Sequence, residues 1–279
     1  MACEAVDTRI ALVGGGKMGE AILGGWISSQ TGQAASLDAA NFTVVNPGEQ
    51  RRSYLQDTYG VVCVEDSSQL EAADIVVLAV KPQMLDAVLP VVASLPFAAE
   101  SLVVSIAAGW TTERIESYLP ADTKVVRVMP NTPLMVGAGA SCICGGSSAL
   151  DYDVELVRDL FGCLGNAWVV KESDMDAVCA VSGSGPAYVA AMIEAMASGA
   201  QKAGLSYEFG EALAVQTVFG TAKLMLDRGQ AAEKTRKDVC SPGGTTLAGL
   251  DAMYAQGFTQ SVEAGVDAAC QRSIELGKA

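Results

Sequence analysis

Short apolar runs alternate with stretches of helical periodicity over the first 170 residues of the chain. Runs such as IALV and DIVVLAV are apolar without a break, which is typical of strands covered on both faces. Strands that alternate with helices favour a parallel sheet, because each helix carries the chain back to the start of the next strand. The pattern therefore predicts an α/β fold with a mostly parallel, doubly wound sheet.

The elements of this first half are predicted from the same pattern. The predicted strands span 9–13, 43–46, 61–64, 75–80, 102–106, 124–129, 140–144 and 167–170. The predicted helices span 17–30, 51–59, 84–94, 111–118 and 151–164.

The pattern changes after residue 170, where strand-like runs cease and Ala, Met and Gly become frequent. Helical periodicity covers 173–205, 206–229, 245–257 and 258–277. Ser206 is a candidate N-cap, and Gly229 is a candidate stop for the same helix. We predict a sheet domain over 1–170 and an all-helical domain over 171–279. Small residues allow close helix approach, so this helical domain is expected to pack against a second copy; an independent monomeric bundle is the alternative.

The composition excludes several classes of reaction and partner. The formal net charge is −14 with no basic tract, which argues against nucleic acid as a partner. The sequence has no histidine, so hydrolase triads and His-driven carbonyl reduction are excluded as ordinarily built. None of the eight cysteines lies in a CxxC pair. Cys142 and Cys144 would share one strand face as core residues, and no metal site is predicted.

The same sequence predicts a cytoplasmic protein. No apolar run reaches the length of a membrane span, and residues 1–8 lack an apolar signal region. Thiols without a pairing pattern are also typical of a reducing compartment.

The segment IALVGGGKMGEAILGGW carries the first candidate site. Gly14, Gly16 and Gly19 fit G-x-G-x-x-G between a predicted strand and a predicted helix. The first glycine permits the turn, the second lets backbone approach a pyrophosphate, and the third allows close helix packing. The amides at the helix start then attract phosphate. We interpret the segment as a dinucleotide site, the alternative being a structural turn.

The end of the second strand indicates which dinucleotide binds. An acid there would bind the ribose 2′-hydroxyl of NAD, but this chain has Asn46, followed by Arg51 and Arg52. A neutral residue with nearby guanidinium groups accommodates a 2′-phosphate, so NADP(H) is favoured. The alternative is a solvated pair of arginines in the first turn of a helix.

Two more loops follow strand ends, where ligands bind in such sheets. The loop AVKPQ follows the fourth strand and SIAAG the fifth. Ala107 and Ala108 are small enough to let a nicotinamide ring lie against backbone. Lys81 is a candidate base, a cofactor contact, or a cation at a strand end, and Pro82 indicates a rigid loop.

The helical half contains two further motifs. DVCSPGGTTLAGL, 238–250, places hydroxyls and amides at a helix start, which suits a small carboxylate; ordinary capping is the alternative. VSGSGPAYV, 181–189, lacks the lysine that follows a comparable glycine stretch in hydroxyacid dehydrogenases, so its glycines are interpreted as allowing close packing or a bend. That difference argues against a hydroxyacid reductase.

Together AVKPQ, RVMPNTP, VSGSGPAYV and DVCSPGGTT resemble the pyrroline-5-carboxylate reductase family over nearly the whole chain. The resemblance implies a Rossmann domain followed by a helical domain that forms a homodimer with its partner's, with larger rings up to a decamer of dimers. It also implies reduction of a cyclic imine, L-1-pyrroline-5-carboxylate, to L-proline with NADPH, or NADH in some members. Other reductases and a non-catalytic nucleotide sensor are the alternatives.

The resemblance also assigns site residues. The cofactor residues it implies are Val13, Gly14, Gly15, Gly16, Lys17, Met18 and Gly19 at the pyrophosphate, Asn46 and Arg51 at the adenosine, and Ala79, Val80, Lys81, Pro82, Ile106, Ala107 and Ala108 at the ribose and nicotinamide. The substrate residues it implies are Ser241, Gly243, Gly244, Thr245 and Thr246, with Glu172 and Asp238 as weaker candidates. Thr246, Ser241 and Lys81 are the candidate catalytic residues. Pro47, directly after Asn46, is a departure that bears on the 2′-phosphate contacts.

The absence of histidine fits this chemistry. An imine nitrogen is basic enough to enter as an iminium ion, so no strong acid need be supplied during hydride transfer. Catalysis then comes chiefly from orientation, which contributes about 7–11 kcal/mol in favourable cases.

Overall fold

The computed structural model describes residues 8–278. The prediction that residues 1–8 carry no signal region falls outside them except at Thr8. The described chain packs into two compact units: one runs up to Ser184 and takes in the residues from Ala269 onward, and the other comprises Gly185–Ala268. This division lies C-terminal to the predicted boundary at residue 170, which stays a prediction.

The first unit is built on an eight-stranded sheet, which confirms the predicted fold class. The strands are β1 Ile10–Val13, β2 Phe42–Val45, β3 Val62–Val64, β4 Ile75–Leu78, β5 Leu102–Ser105, β6 Lys124–Met129, β7 Gly139–Gly145 and β8 Gly165–Val169. Their order is β3-β2-β1-β4-β5-β6-β7-β8, and only the β6–β7 pair is antiparallel. The order reverses between β1 and β4, so a crevice forms there at the carboxyl ends of the strands.

Helices cover both faces of this sheet. They are α1 Lys17–Ile27, α2 Glu49–Tyr59, α3 Leu85–Ala93, α4 Thr112–Glu116, α5 Asp151–Gly162 and α6 Met175–Val178. One core packs α1 and α5 against one face around Trp26, Phe42 and Phe161. The other packs α3 against the opposite face around Leu85, Leu89 and neighbouring valines. Because both faces are covered, β1, β4 and β5 are buried along their whole length.

The second unit is helical, as predicted. It contains α7 Gly185–Lys202, α8 Tyr207–Arg228, α9 Ala232–Val239, α10 Thr245–Ala255 and the start of α11 Phe258–Lys278. The Ser206 hydroxyl accepts a hydrogen bond from the Phe209 amide and Gly229 ends α8 in the left-handed region, so both predicted caps are confirmed. The sequence pattern missed α9, a polar helix with Lys234–Asp238 and Lys237–Glu233 ion pairs one turn apart.

Close approach of α7 and α8 depends on small residues. A Cβ atom added to Gly210 would lie 2.8 Å from Ala200 Cβ. Ala197 and Ala214 are buried in the same contact. The remaining sides of these helices carry exposed apolar side chains, among them Phe209, Leu213 and Phe219.

The helix predicted over 173–205 is interrupted. A π-helical turn, Cys179–Gly183, separates α6 from α7. An added Cβ on Gly183 would lie 2.6 Å from Met129 Cε, so this glycine allows close packing against β6. A π-helical turn thus interrupts the predicted helix at this motif, and the role of its glycines in close helix packing or a bend stays a prediction.

The prediction that Cys142 and Cys144 are core residues is also confirmed. Cys144 is buried and Cys142 is partly buried, and both pack in a small core with Met129 and Met175. No group of metal-ligating side chains occurs among residues 8–278.

Candidate active site

The glycine loop between β1 and α1 has the geometry that the motif predicts. Gly14 has a φ of 115°, and a Cβ there would lie 2.6 Å from the Ala79 carbonyl oxygen. A Cβ on Gly19 would overlap the Gly14 carbonyl, so the third glycine brings α1 against the strand end. Gly16 differs, because an added Cβ would meet nothing within 4 Å. The backbone at Gly16 is therefore open to an approaching ligand.

The start of α1 offers donors to such a ligand. Gly16 is the N-cap residue, and no side chain caps the helix. The first amides of an α-helix have no intrahelical acceptor, and the helix dipole adds partial positive charge. Lys17 lies in the same turn and is exposed. An anion such as a pyrophosphate fits this loop.

The sheet brings the other predicted cofactor loops to the same edge. Because β1, β4 and β5 are adjacent and parallel, the loops that follow them leave the same end of the sheet. Gly14 donates its amide to Val45 O at 3.0 Å, and Ala79 donates to Val13 O at 2.8 Å. Val80, Pro82, Ile106 and Ala108 are partly buried here, Ala107 is buried, and Lys81 is exposed. The loops that contain these residues therefore leave the sheet at one edge, and their role in cofactor binding stays a prediction.

The two arginines after β2 are both engaged with the protein. Arg51 Nε donates to Gly15 O at 2.5 Å, and its Nη2 pairs with Glu20. Arg52 Nη1 donates to the carbonyls of Asn46 and Pro47 at 2.9 and 2.7 Å. The two arginines are therefore not a freely solvated pair, which was the alternative to their binding a 2′-phosphate.

The side chain of Asn46 is the more available polar group at this turn. Its amide donates to Gly48 O at 3.4 Å, which is a long hydrogen bond. Gly48 caps α2 without a side-chain partner. The Asn46 side chain is therefore less engaged within the protein than the two guanidinium groups.

The second candidate loop precedes α10 in the helical unit. Gly243 has a φ of 69°, and Gly244 donates its amide to Ser241 O at 3.0 Å. Gly244 is the N-cap of α10 and no side chain caps the helix, so neither Ser241 nor Thr245 serves as the ordinary cap. Thr246 in the first turn is exposed. The loop presents uncapped amides beside two threonine hydroxyls, which suits a carboxylate.

The two acidic candidates are engaged elsewhere. Asp238 accepts hydrogen bonds from Gln230 and Lys234 on its own helix and the preceding loop. These donors, Lys234 first, hold the pKa of the Asp238 carboxyl below its ordinary value. Glu172 forms an ion pair with Arg127. Neither carboxylate adds positive charge for a carboxylate ligand, so we leave both out of the proposed substrate site.

Arg127 on β6 is a residue that the sequence analysis missed. It is 3% exposed, and its Nη1 contacts Glu172 Oε1 at 2.5 Å, while Nε and Nη2 have no hydrogen-bond partner within residues 8–278. Glu172 Oε2 accepts from the Thr112 amide at 3.4 Å and from the Cys144 thiol at 3.2 Å. The signal in the sequence was a single arginine inside the apolar strand KVVRVM.

A glycine loop that begins a helix at the reversal of strand order is typical of dinucleotide-binding domains, and the comparisons with known proteins identify this one as the domain of an NAD(P)H-dependent oxidoreductase. Two family models match the chain: NADP oxidoreductase coenzyme F420-dependent over residues 9–109, and pyrroline-5-carboxylate reductase dimerisation over residues 172–276. The chain is 41% identical to the pyrroline-5-carboxylate reductase of a Synechocystis species, over 98% of this chain and 100% of that one. The chain belongs to the pyrroline-5-carboxylate reductase family.

Solved structures agree with this assignment. A pyrroline-5-carboxylate reductase from Coxiella burnetii is 33% identical with a TM-score of 0.88, covering 98% of this chain and 99% of that chain. Plasmodium falciparum pyrroline carboxylate reductase with NADP bound is 30% identical with a TM-score of 0.84, covering 97% and 98%. The similarity to this family therefore extends over nearly the whole length of this chain and of each solved chain.

Proposed function

We propose that the protein reduces L-1-pyrroline-5-carboxylate to L-proline with NADPH, the last step of proline biosynthesis. The observation that carries the proposal is full-length similarity to reductases of this name, together with two uncapped, glycine-rich helix starts. One of these helix starts lies in the sheet unit and the other in the helical unit. Two anionic ligands, a dinucleotide and a carboxylate, are what a reductase of this substrate must hold.

The first unit is proposed to bind the cofactor. The open backbone at Gly16 and the uncapped amides of α1 fit a pyrophosphate, and the small residues Ala79, Ala107 and Ala108 fit a flat ring beside the loops after β4 and β5. Asn46 lies at the adenosine end. The cofactor supplies the hydride; the protein supplies binding and orientation. NADH is an alternative hydride donor, and its rate of oxidation is to be compared with that of NADPH.

The second unit is proposed to bind the substrate carboxylate at Ser241, Gly243, Gly244, Thr245 and Thr246. Backbone amides at a helix start bind an anion without a counter-cation, which suits a chain with a net charge of −14. A charge-assisted hydrogen bond to a carboxylate is stronger than a neutral one, so two or three amides suffice to anchor it. The Thr246 hydroxyl is our candidate for the imine nitrogen. The role of Lys81, as a base or as a cofactor contact, stays a prediction.

No histidine is needed for this reaction. The substrate nitrogen is protonated before reduction, so positive charge that activates its carbon is already present on the substrate. The protein's contribution is to hold the ring in one orientation and to exclude water, and orientation alone contributes about 7–11 kcal/mol in favourable cases.

Self-association through the helical unit is part of the proposal. An apolar cavity of about 540 Å³, lined by Tyr188, Met192, Met253 and Phe258 among others, opens on this unit. An 18-residue window within Glu172–Lys202 has a mean hydropathy of 1.2, so length and composition alone would let this stretch cross a membrane, contrary to the expectation that no apolar run is long enough. A helix face that a second copy covers has the same composition, and the matching dimerisation model supports this occupant. We propose a cytoplasmic homodimer, with assembly up to a decamer of dimers as the larger state.

A kinetic experiment tests the function. Purified protein, NADPH and the imine should give loss of nicotinamide absorbance, while hydroxyacid substrates with the oxidised cofactor should give no change. Thr246→Ala should raise the KM for the imine and lower kcat while NADPH binding changes little. Thr221→Ala is the matched control: it removes an exposed threonine hydroxyl from α8, outside the proposed substrate loop. Wild-type kinetics in the Thr246 variant would remove this residue from the site.

A further inference from the structure

The side chain of Arg51 reaches from α2 to the glycine loop that precedes α1. Its Nε donates to Gly15 O at 2.5 Å, and its Nη2 lies 3.5 Å from Gly16 O. The same Nη2 pairs with Glu20 in the first turn of α1. One guanidinium therefore joins two consecutive loop carbonyls to the helix that the loop begins.

Glu20 is itself held in place. Its Oε1 accepts hydrogen bonds from the hydroxyls of Tyr54 at 2.9 Å and Tyr59 at 3.1 Å, both on α2. The Arg51 guanidinium lies over the Tyr54 ring, 5.0 Å from its centroid. The carboxylate is only a fifth exposed. Burial raises the pKa of Glu20, but Arg51 and the two tyrosines lower it by more, so the carboxylate is ionised at neutral pH.

Two consequences follow from this arrangement. A trans peptide group is planar, with its carbonyl and the next amide pointing in opposite directions, so fixing the carbonyls of Gly15 and Gly16 fixes the amides of Gly16 and Lys17. Those are amides at the proposed pyrophosphate site. Meanwhile the carboxylate of Glu20 offsets the positive charge of Arg51, which weakens its attraction for a second anion.

We propose that Arg51 is a positioning residue that sets the loop amides for the pyrophosphate, and that it does not select the 2′-phosphate of NADPH. The inference rests on the proposed cofactor chemistry but departs from the sequence-based interpretation of Arg51 as a 2′-phosphate partner. The two roles make opposite predictions, because the pyrophosphate is common to NADPH and NADH whereas the 2′-phosphate belongs to NADPH alone.

The test is calorimetric titration of the full-length protein with NADP⁺ and NAD⁺, which needs no turnover. Arg51→Gln should weaken binding of both nucleotides by a similar factor, on the order of tenfold, and leave the ratio of the two Kd values within about twofold of wild type. Arg51→Lys keeps the charge but loses the planar fork, so it should weaken both nucleotides as well. Arg9→Gln is the matched control, since it breaks another arginine–carboxylate pair, with Asp74, before the start of β1; both Kd values should stay unchanged.

A selective loss of NADP⁺ affinity in Arg51→Gln would overturn the inference, as would recovery of that affinity in Arg51→Lys. Unchanged binding of both nucleotides would also overturn it. Circular dichroism of each variant separates a loop effect from unfolding, and Arg51→Lys serves as the second variant if Arg51→Gln does not fold. These outcomes are independent of whether the wild-type protein reduces the imine, so failure of the proposed function is seen separately.

Discussion

Replacing Glu172 with alanine is expected to destabilise the protein strongly, because it leaves the Arg127 charge buried without a partner. Arg127 is 3% exposed, and Glu172 is the acceptor for its one hydrogen bond among the described residues, with Nε and Nη2 unpaired. Breaking a buried pair by removing one partner costs about 3–5 kcal/mol. Glu172 is a third exposed, so we expect the lower end, about 3 kcal/mol.

Urea unfolding followed by circular dichroism measures this loss. With an m-value of roughly 3 kcal/mol/M, a change of about 3 kcal/mol moves the midpoint by about 1 M. All variants are compared at one protomer concentration, because self-association contributes to apparent stability. The matched variant Arg127→Met should cost less, since the remaining Glu172 carboxylate reaches water.

The double variant Arg127→Met/Glu172→Met sharpens the test. Replacing both members of a buried pair by apolar groups is often neutral or stabilising, so the double variant should recover most of the stability lost in Glu172→Ala. A loss below about 1 kcal/mol in Glu172→Ala, or a double variant no more stable than that single one, would refute the reasoning.

The Arg127–Glu172 pair also makes the stability of the folded protein depend on pH. Burial raises the pKa of Glu172, and Arg127 lowers it by more, so the pKa of this carboxyl in the folded protein lies below its ordinary value of 4.5. A lowered pKa gives stability that is complete above the ordinary value and is lost as pH falls through the folded one. The difference between wild type and Glu172→Ala should therefore be constant near neutral pH and narrow below about pH 4.5.

Three further outcomes are expected. Gly16→Ala should fold normally, because its added Cβ meets no protein atom, yet raise the KM of both NADPH and NADH about tenfold, as steady-state kinetics would show; unchanged KM values would place the pyrophosphate elsewhere. Ser206→Ala removes the acceptor for the Phe209 amide and should cost about 1 kcal/mol in the same urea experiment, whereas no loss would mean that water replaces the cap. Burial and the nearby Glu172 carboxylate strongly raise the pKa of the Cys144 thiol, so it should stay unmodified by a thiol reagent, with peptide mapping as the readout, until the protein unfolds.

The inner strands β1, β4 and β5 were predictable because they are buried on both faces. Uninterrupted runs such as IALV and DIVVLAV mark these strands, and glycine at positions 14 and 19 follows from the close backbone approach between β1 and α1. Strand ends were less predictable: the strand predicted over 75–80 ends at Leu78, because the chain turns there toward the loop with Lys81 and Pro82.

The partners of charged side chains were not predictable in the same way. Arg51 was predicted at the adenosine end of the cofactor, and the sequence could not indicate that Glu20, 31 positions away, would share its charge. Glu172 and Arg127 are 45 positions apart and meet only because β6 and the turn before α6 pack together. Local sequence patterns predict helix periodicity and capping. Ion pairs between residues far apart in the sequence depend on the tertiary structure.

The last residues of helix α11 pack against the sheet unit. The Ser273 hydroxyl donates to Asp176 at 2.6 Å, and a Cβ added to Gly277 would lie 2.8 Å from the Gly109 carbonyl, directly after the alanines of the β5 loop. A fragment that stops at Ser184 would expose both contacts to water. Chimaeras that exchange the helical unit between related reductases therefore need two junctions, one after Ser184 and one before Ala269, with the native terminal segment retained.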